Sequence, residues 1–226
     1  MEKKVLLFDF DGTLVESGPG LVNSLRYALK EMEIDEPDDQ KLERFIGPPL
    51  NVGFERWYGM NQEEIEKALT LFRLRYKEKG IYEASLYPGI KELLIHAKEK
   101  GCICAIASAK PLYFIDKMVD FFDIRHYFDY IVGPGLEDEL NNKAGMDTKQ
   151  VVISQIVEQL ESISSASMVM IGDKASDIRS GKSFGLQTVG VCYGYGTKEE
   201  LEQAQADAIV GTVEQLENTL FGRHRG

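Results

Sequence analysis

The chain has 226 residues, 43% of them hydrophobic and 28% charged, and a formal net charge of −11. Such a length can bury a full α/β core with room for a modest insertion, and such a charge argues against a general affinity for nucleic acid or anionic membrane. An anionic substrate would need a local positive centre, supplied by a metal, lysines or helix N-termini.

In chain order, Met1-Glu2-Lys3-Lys4 runs straight into Val5-Leu6-Leu7-Phe8 with no small-residue cleavage site, and no later stretch reaches the apolar length of a membrane span. A cytoplasmic protein is expected. Val5 to Phe10 reads as a buried strand leading into an Asp11-Gly12 turn. Leu21 to Met32 has helical spacing, and Asn61-Gln62-Glu63-Glu64 opens a further helix with Ile65, Leu69, Phe72 and Tyr76 on its apolar side. No strand is expected between residue 15 and about residue 85.

From Tyr87-Pro88-Gly89 onward helices and strands alternate. Ile90 to Lys100 reads as a helix stopped by Gly101, followed by a strand from Cys102 to Ala107. A helix over about Leu112 to Phe122, a strand at Tyr130 to Val132 and a helix from about Asp147 to Leu160 come next. Strand Met168 to Ile171, helix Ser176 to Phe184 and strand Thr188 to Val191 follow. A helix after Thr197, a strand at Ala208 to Val210 and a helix near Val213 to Leu220 complete the series. This alternation implies right-handed crossovers and a mostly parallel sheet covered on both faces, with the site at the carboxyl ends of the strands. The expected fold is α/β: a Rossmann-like core of residues 1–14 and 87–226, with a helical cap domain, residues 15–86, inserted after the first strand.

Three strand ends carry polar residues where apolar runs stop: Asp9-Phe10-Asp11-Gly12-Thr13, Ser108-Ala109-Lys110, and Gly172-Asp173-Lys174-Ala175-Ser176-Asp177. A parallel sheet brings these ends together, and a carboxylate cluster at close range must be neutralised. Oxygen donors of this kind suit Mg²⁺. The spacing of Asp9 and Asp11 suits a carboxylate nucleophile with a general acid/base beside it. A turn alone would account for Asp11-Gly12, but not for Asp9 inside an apolar strand. Cys102, Cys104 and Cys192 form neither a zinc pattern nor a disulfide framework and read as buried thiols. His96, His126 and His224 lack ligand spacing.

Asp9-Phe10-Asp11-Gly12-Thr13-Leu14 resembles the first motif of the haloacid-dehalogenase-like phosphohydrolase superfamily. Ser108 is similar to its second motif, a downstream lysine to its third, and Gly172-Asp173 with Asp177 to its fourth, in the same order along the chain. The resemblance implies that Asp9 is the nucleophile forming an aspartyl-phosphate. It also implies that Asp11 is the acid/base, and that Mg²⁺ is held by Asp9, the Asp11 carbonyl and Asp173 with Asp177 in support. Thr13, Ser108 and the Ala109 amide would contact substrate. Lys149 is favoured as the phosphate-binding lysine because it immediately precedes a helix-like run, although Lys143 falls in the same window and the usual following proline is replaced by Gln150.

Lys110 and Lys174 read as solvated lysines that could add positive potential near the phosphate, and Arg56 and Arg75 as solvated helix-surface arginines with the alternative of facing the site from the cap. Phe45-Ile46-Gly47-Pro48-Pro49-Leu50 resembles a loop that reaches the site from the cap, and also serves as a rigid connector. Asp11 separates phosphate-ester cleavage from the family's carbon–halogen and phosphonate chemistries. The expected activity is a phosphatase acting on a small phosphorylated substrate, phosphoglycolate phosphatase-like. The alternatives are a 5′-nucleotidase, then a sugar-phosphate mutase or a non-catalytic phosphate-binding protein. No nucleic acid or membrane partner is expected, and a monomer or homodimer is.

Overall fold

The computed structural model describes residues 4–136 and 148–222. In chain order the first elements are β1 (Val5–Phe8), β2 (Val15–Glu16), α1 (Gly18–Glu31), α2 (Asp39–Glu43), α3 (Leu50–Tyr58), α4 (Gln62–Glu78) and β3 (Ser85–Leu86). Next come α5 (Ile90–Glu99), β4 (Ile103–Ala107), α6 (Leu112–Phe121), β5 (Tyr130–Val132) and α7 (Thr148–Gln159). They are followed by β6 (Met168–Gly172), α8 (Ala175–Ser183), β7 (Gln187–Val191), α9 (Lys198–Gln203), β8 (Ala208–Val210) and α10 (Val213–Phe221).

Six strands form one parallel sheet in the order β5-β4-β1-β6-β7-β8. The chain winds outward from β1 through β4 to β5, then returns to β6 and winds the other way. The fold is therefore α/β and Rossmann-like, and its topological switch point lies at β1. Every side chain of β1 is fully buried, as a central parallel strand covered on both faces requires. The two-residue period sends Leu6 and Phe8 to one face, with Cys104, Ile106, Val169 and Ile171. Val5 and Leu7 point to the other, against Ala105, Ala107, Met170 and the α7 residues Val152, Ile153 and Ile156. Each fully buried Leu, Ile or Phe contributes about 1.5–3 kcal/mol.

Some helices start at side-chain caps. Asn61 and Glu64 form a reciprocal capping box on α4, and the Thr197 and Thr212 hydroxyls accept from the amides of Glu200 and Gln215. Gly101, at φ +72°, follows α5. One expectation needs correction. Val15–Glu16 and Ser85–Leu86 pair as a short antiparallel ribbon at the two ends of the helical insertion. Two residues are too few for any period to be read. The buried faces of α1 and α4 join the same hydrophobic cluster as Leu6 and Phe8, so the inserted helices and the sheet share one core. No helix among the described residues is long and apolar enough to cross a membrane.

Candidate active site

Strand register builds the site. Phe8 is level with Ile106 on one side and Ile171 on the other, so Asp9, Ser108 and Asp173 emerge together at the carboxyl edge. The Asp9 amide donates to the Ile171 carbonyl at 2.8 Å, and the Ser108 amide to Val132 at 3.2 Å. Both extend the ladders past the strand ends and fix where these side chains leave the sheet.

Lys149, buried at the start of α7, reaches under the edge. Its ammonium lies 2.6 Å from Asp9 Oδ1, 2.8 Å from Asp177 Oδ1 and 3.0 Å from the Ala107 carbonyl. Burial alone would depress this ammonium, but Asp177 and Asp9 outweigh it and hold Lys149 above the usual lysine range. The other Asp177 oxygen accepts from the Lys174 amide at 3.0 Å. Lys143 lies outside the described residues.

Asp9, Asp173 and Asp177 each place a carboxylate oxygen within 4.8 Å of the others. At an effective dielectric of ~20, each such pair of unit charges repels by about 3 kcal/mol or more, and Lys149 supplies a single positive charge. Asp173 shows the imbalance. Burial first, then the charges of Asp9 and Asp177, push its carboxyl up to about 8. Its Oδ2 accepts from the Tyr195 amide at 2.8 Å and the Gly196 amide at 3.3 Å. Its Oδ1 is buried and has no hydrogen-bond partner among the described residues. Three convergent carboxylates and an orphaned buried oxygen fit a hard divalent cation.

The backbone around Asp173 has no room to spare. A Cβ on Gly12, which sits at φ +82°, would lie 2.3 Å from Asp173 Oδ2, and one on Gly196 would lie 1.6 Å from the Asp173 carbonyl oxygen. These glycines let two loops close onto the carboxylate.

Asp11 takes a different direction. Both of its carboxylate oxygens lie 3.1 Å from the Lys110 ammonium, and its side chain is not part of the triad. Lys110 also donates to the Tyr76 hydroxyl at 2.7 Å. The expectation of a solvated Lys110 is corrected: it is buried, because Tyr76 of α4 and Asp11 of the β1 loop close over it. Burial would depress its ammonium, yet Asp11 and Tyr76 hold it above the usual lysine range.

Asp9, Asp11, Ser108, Ala109, Lys110 and Lys149 face a cavity of about 500 Å³. The whole Phe45–Leu50 segment, Leu21, Phe72, Tyr76 and Phe114 also line it. Lys174 also lines it, half-buried against Gly47, with its ammonium 3.0 Å from the Tyr195 carbonyl. It is not the freely solvated lysine expected. Thr13, expected to contact substrate, is fully buried off the cavity wall. The Tyr193 hydroxyl donates to its carbonyl at 3.0 Å, so it packs beneath the loop.

Of the expected arginines, Arg56 is exposed and away from the cavity. Arg75 is not solvated alone: it forks onto Glu83 with two bonds of 2.9 Å and donates to Ser24 at 3.0 Å. Among the described residues the arginines on the cavity are Arg44 and Arg179, which carry no distinguishing local pattern. Tyr76 was legible only as an apolar-face residue. The three thiols are free, and His96 makes a 2.6 Å contact with Glu217 away from the cavity. His224 lies outside the described residues.

Residues 6–191 match the family model described as haloacid dehalogenase-like hydrolase. The chain is 32% identical over 200 residues to a 5′-nucleotidase from Pseudomonas aeruginosa, covering 88% of this chain and 87% of that protein. It is 30% identical over 211 residues to a phosphoglycolate phosphatase from Colwellia psychrerythraea, with 89% and 90% covered. A solved structure described as a predicted phosphatase from Clostridium acetobutylicum superposes with a TM-score of 0.88 at 34% identity, over 99% of this chain and 100% of that one. With the acidic strand ends, the sheet order and a family match over most of its length, the chain belongs to the haloacid dehalogenase-like hydrolases.

Proposed function

We propose that this phosphatase hydrolyses monoesters of small organic phosphates in a Mg²⁺-dependent reaction through an aspartyl-phosphate on Asp9. The observation that carries this reading is Asp9 itself: a nearly buried carboxylate open to the cavity, with one oxygen 2.6 Å from Lys149 and two further carboxylates within 4.8 Å. A carboxylate oxygen of Asp9 attacks phosphorus, and the bond from phosphorus to the ester oxygen breaks as protonated Asp11 gives its proton to the departing alcohol. Asp11, now a carboxylate, takes a proton from water. The water oxygen attacks phosphorus, and the Asp9–phosphorus bond breaks, releasing inorganic phosphate and restoring Asp9. Lys149, the Ser108 hydroxyl and the Ala109 amide hold phosphoryl oxygens. Mg²⁺, held by Asp9, Asp173 and the Asp11 carbonyl with Asp177 in support, would neutralise phosphoryl charge when bound.

The helical insertion, residues 15–86, acts in this reading as the cap that supplies the far wall of the cavity. Phosphoglycolate is one substrate of the required kind. A cavity of about 500 Å³ walled by Leu21, Phe72, Phe114 and Pro48 also supports a second reading, a nucleoside 5′-monophosphate, whose base can use an apolar wall that a two-carbon acid cannot. Phosphate release from p-nitrophenyl phosphate with Mg²⁺ tests the chemistry. Asp9→Asn is expected to lower turnover by at least about 10³-fold, and undiminished turnover by the folded variant overturns the assignment. Comparing kcat/KM for 2-phosphoglycolate and nucleoside 5′-monophosphates decides between the substrates.

A further inference from the structure

Lys110 is a buried lysine that the phosphoryl-transfer steps above do not use. Its ammonium contacts both Asp11 oxygens at 3.1 Å and donates to the Tyr76 hydroxyl at 2.7 Å. The ammonium also sits 4.8 Å from the centre of the Tyr76 ring. Tyr76 is itself buried, stacked on Phe72 and edge-on to Phe114. Its hydroxyl donates to the Met118 sulfur at 3.9 Å. An oxygen in such apolar surroundings has its lone pairs free for Lys110. The three residues come from three separate parts of the chain: the loop after β1, helix α4 of the insertion, and the loop between β4 and α6.

Burying an ammonium is unfavourable unless its partners are fixed, so this arrangement constrains Asp11 as strongly as it constrains Lys110. The Asp11 carboxylate is not part of the Asp9, Asp173 and Asp177 cluster; it lines the cavity with both oxygens on Lys110.

We propose that Lys110 and Tyr76 are positioning residues that hold Asp11 as the base for hydrolysis of the phosphorylated enzyme, and that Tyr76 makes this orientation depend on the seating of α4. The inference rests on the acid/base role of Asp11 proposed above. It predicts a selective defect. Nitrophenolate leaves without a proton, so the first step with p-nitrophenyl phosphate does not need Asp11, whereas the water step does.

The test is rapid-mixing kinetics of wild type, Lys110→Met, Tyr76→Phe and Asp11→Asn with p-nitrophenyl phosphate and Mg²⁺. Lys110→Met is expected to release about one equivalent of nitrophenolate per active site in a burst, then turn over about 100-fold more slowly than wild type. Tyr76→Phe, which removes a single oxygen and stays foldable if Lys110→Met does not, is expected to show the same burst with about a three- to tenfold slower steady state. A slowed first step with raised KM and no burst in these two variants would make Lys110 a phosphate contact and overturn the proposal. So would wild-type kinetics in both. Asp11→Asn separates the two layers: if it turns over like wild type, the role of Asp11 fails. If it shows the burst and slow turnover while Lys110→Met and Tyr76→Phe do not, only the positioning pair fails.

Discussion

Asp173 sits where its charge is least welcome, fully buried beside two other carboxylates, and its surroundings push its carboxyl up to about 8. For a carboxyl raised above its unfolded value of 3.8, the folded state holds more protons than the unfolded state between those two pH values. Stability contributed by the protonated form is thus lost as pH rises through that window. In chelator, Asp173→Asn is expected to melt at a higher temperature than wild type, with the gap widening from pH 5 toward about pH 8. With Mg²⁺ the order reverses, because a cation needs the ionised form. Calorimetric titration should find Mg²⁺ affinity rising by up to about tenfold per pH unit below pH 8, with proton release. A flat profile would show that Asp173 is already ionised without the metal.

At the scale of elements, the helical insertion is held by close backbone approach and by one fork of charge. A Cβ on Gly20 of α1 would lie 2.0 Å from the Gly80 carbonyl oxygen, so the start of α1 and the turn after α4 touch main chain to main chain. In the last turn of α4, Arg75 joins Glu83 to the Ser24 hydroxyl of α1. The ribbon of Val15–Glu16 with Ser85–Leu86 closes the same region. Gly20→Ala is expected to cost about 1–3 kcal/mol in urea unfolding, since backbone atoms cannot rotate aside. If the resulting shift also loosens Tyr76 over Lys110, the variant will lose turnover at temperatures where it is still folded. An unchanged unfolding midpoint would show that the helices slide freely at this crossing.

For the molecule as a whole, the triad, the Lys149 anchor and the loop at Tyr195–Gly196 tie β1, α7, β6 and the segment after β7 to a single point. A cation bound there stabilises the assembled fold over the unfolded chain by mass action. At a hundredfold excess over Kd the gain is about 2.7 kcal/mol. A melting curve should rise with Mg²⁺ and return with chelator. Asp173→Asn should lose most of that response, and an equal response in the variant would place the binding elsewhere.

Much of this was legible along the chain because it depends on neighbours in sequence. Apolar runs alternating with helical spacing were enough for a parallel sheet, and runs ending in Asp9, Ser108 and Asp173 marked the edge where these side chains converge, since strand ends are local features. Lys149 was likewise marked by the helical run beside it, and it lies in the first turn of α7. The ribbon at Val15–Glu16 was too short to carry a period. The burial of Lys110, the exclusion of Thr13 from the cavity wall, and the choice of Arg44 and Arg179 over Arg56 and Arg75 as cavity arginines were settled only by the tertiary structure. Each depends on a partner from a distant part of the chain: Tyr76 lies 34 positions before Lys110 and Asp11 lies 99 before it. Sequence pattern determined where Asp9 and Asp11 leave the sheet. Packing decided what they face, because a side chain's solvation and charge partners are set by which elements close over it.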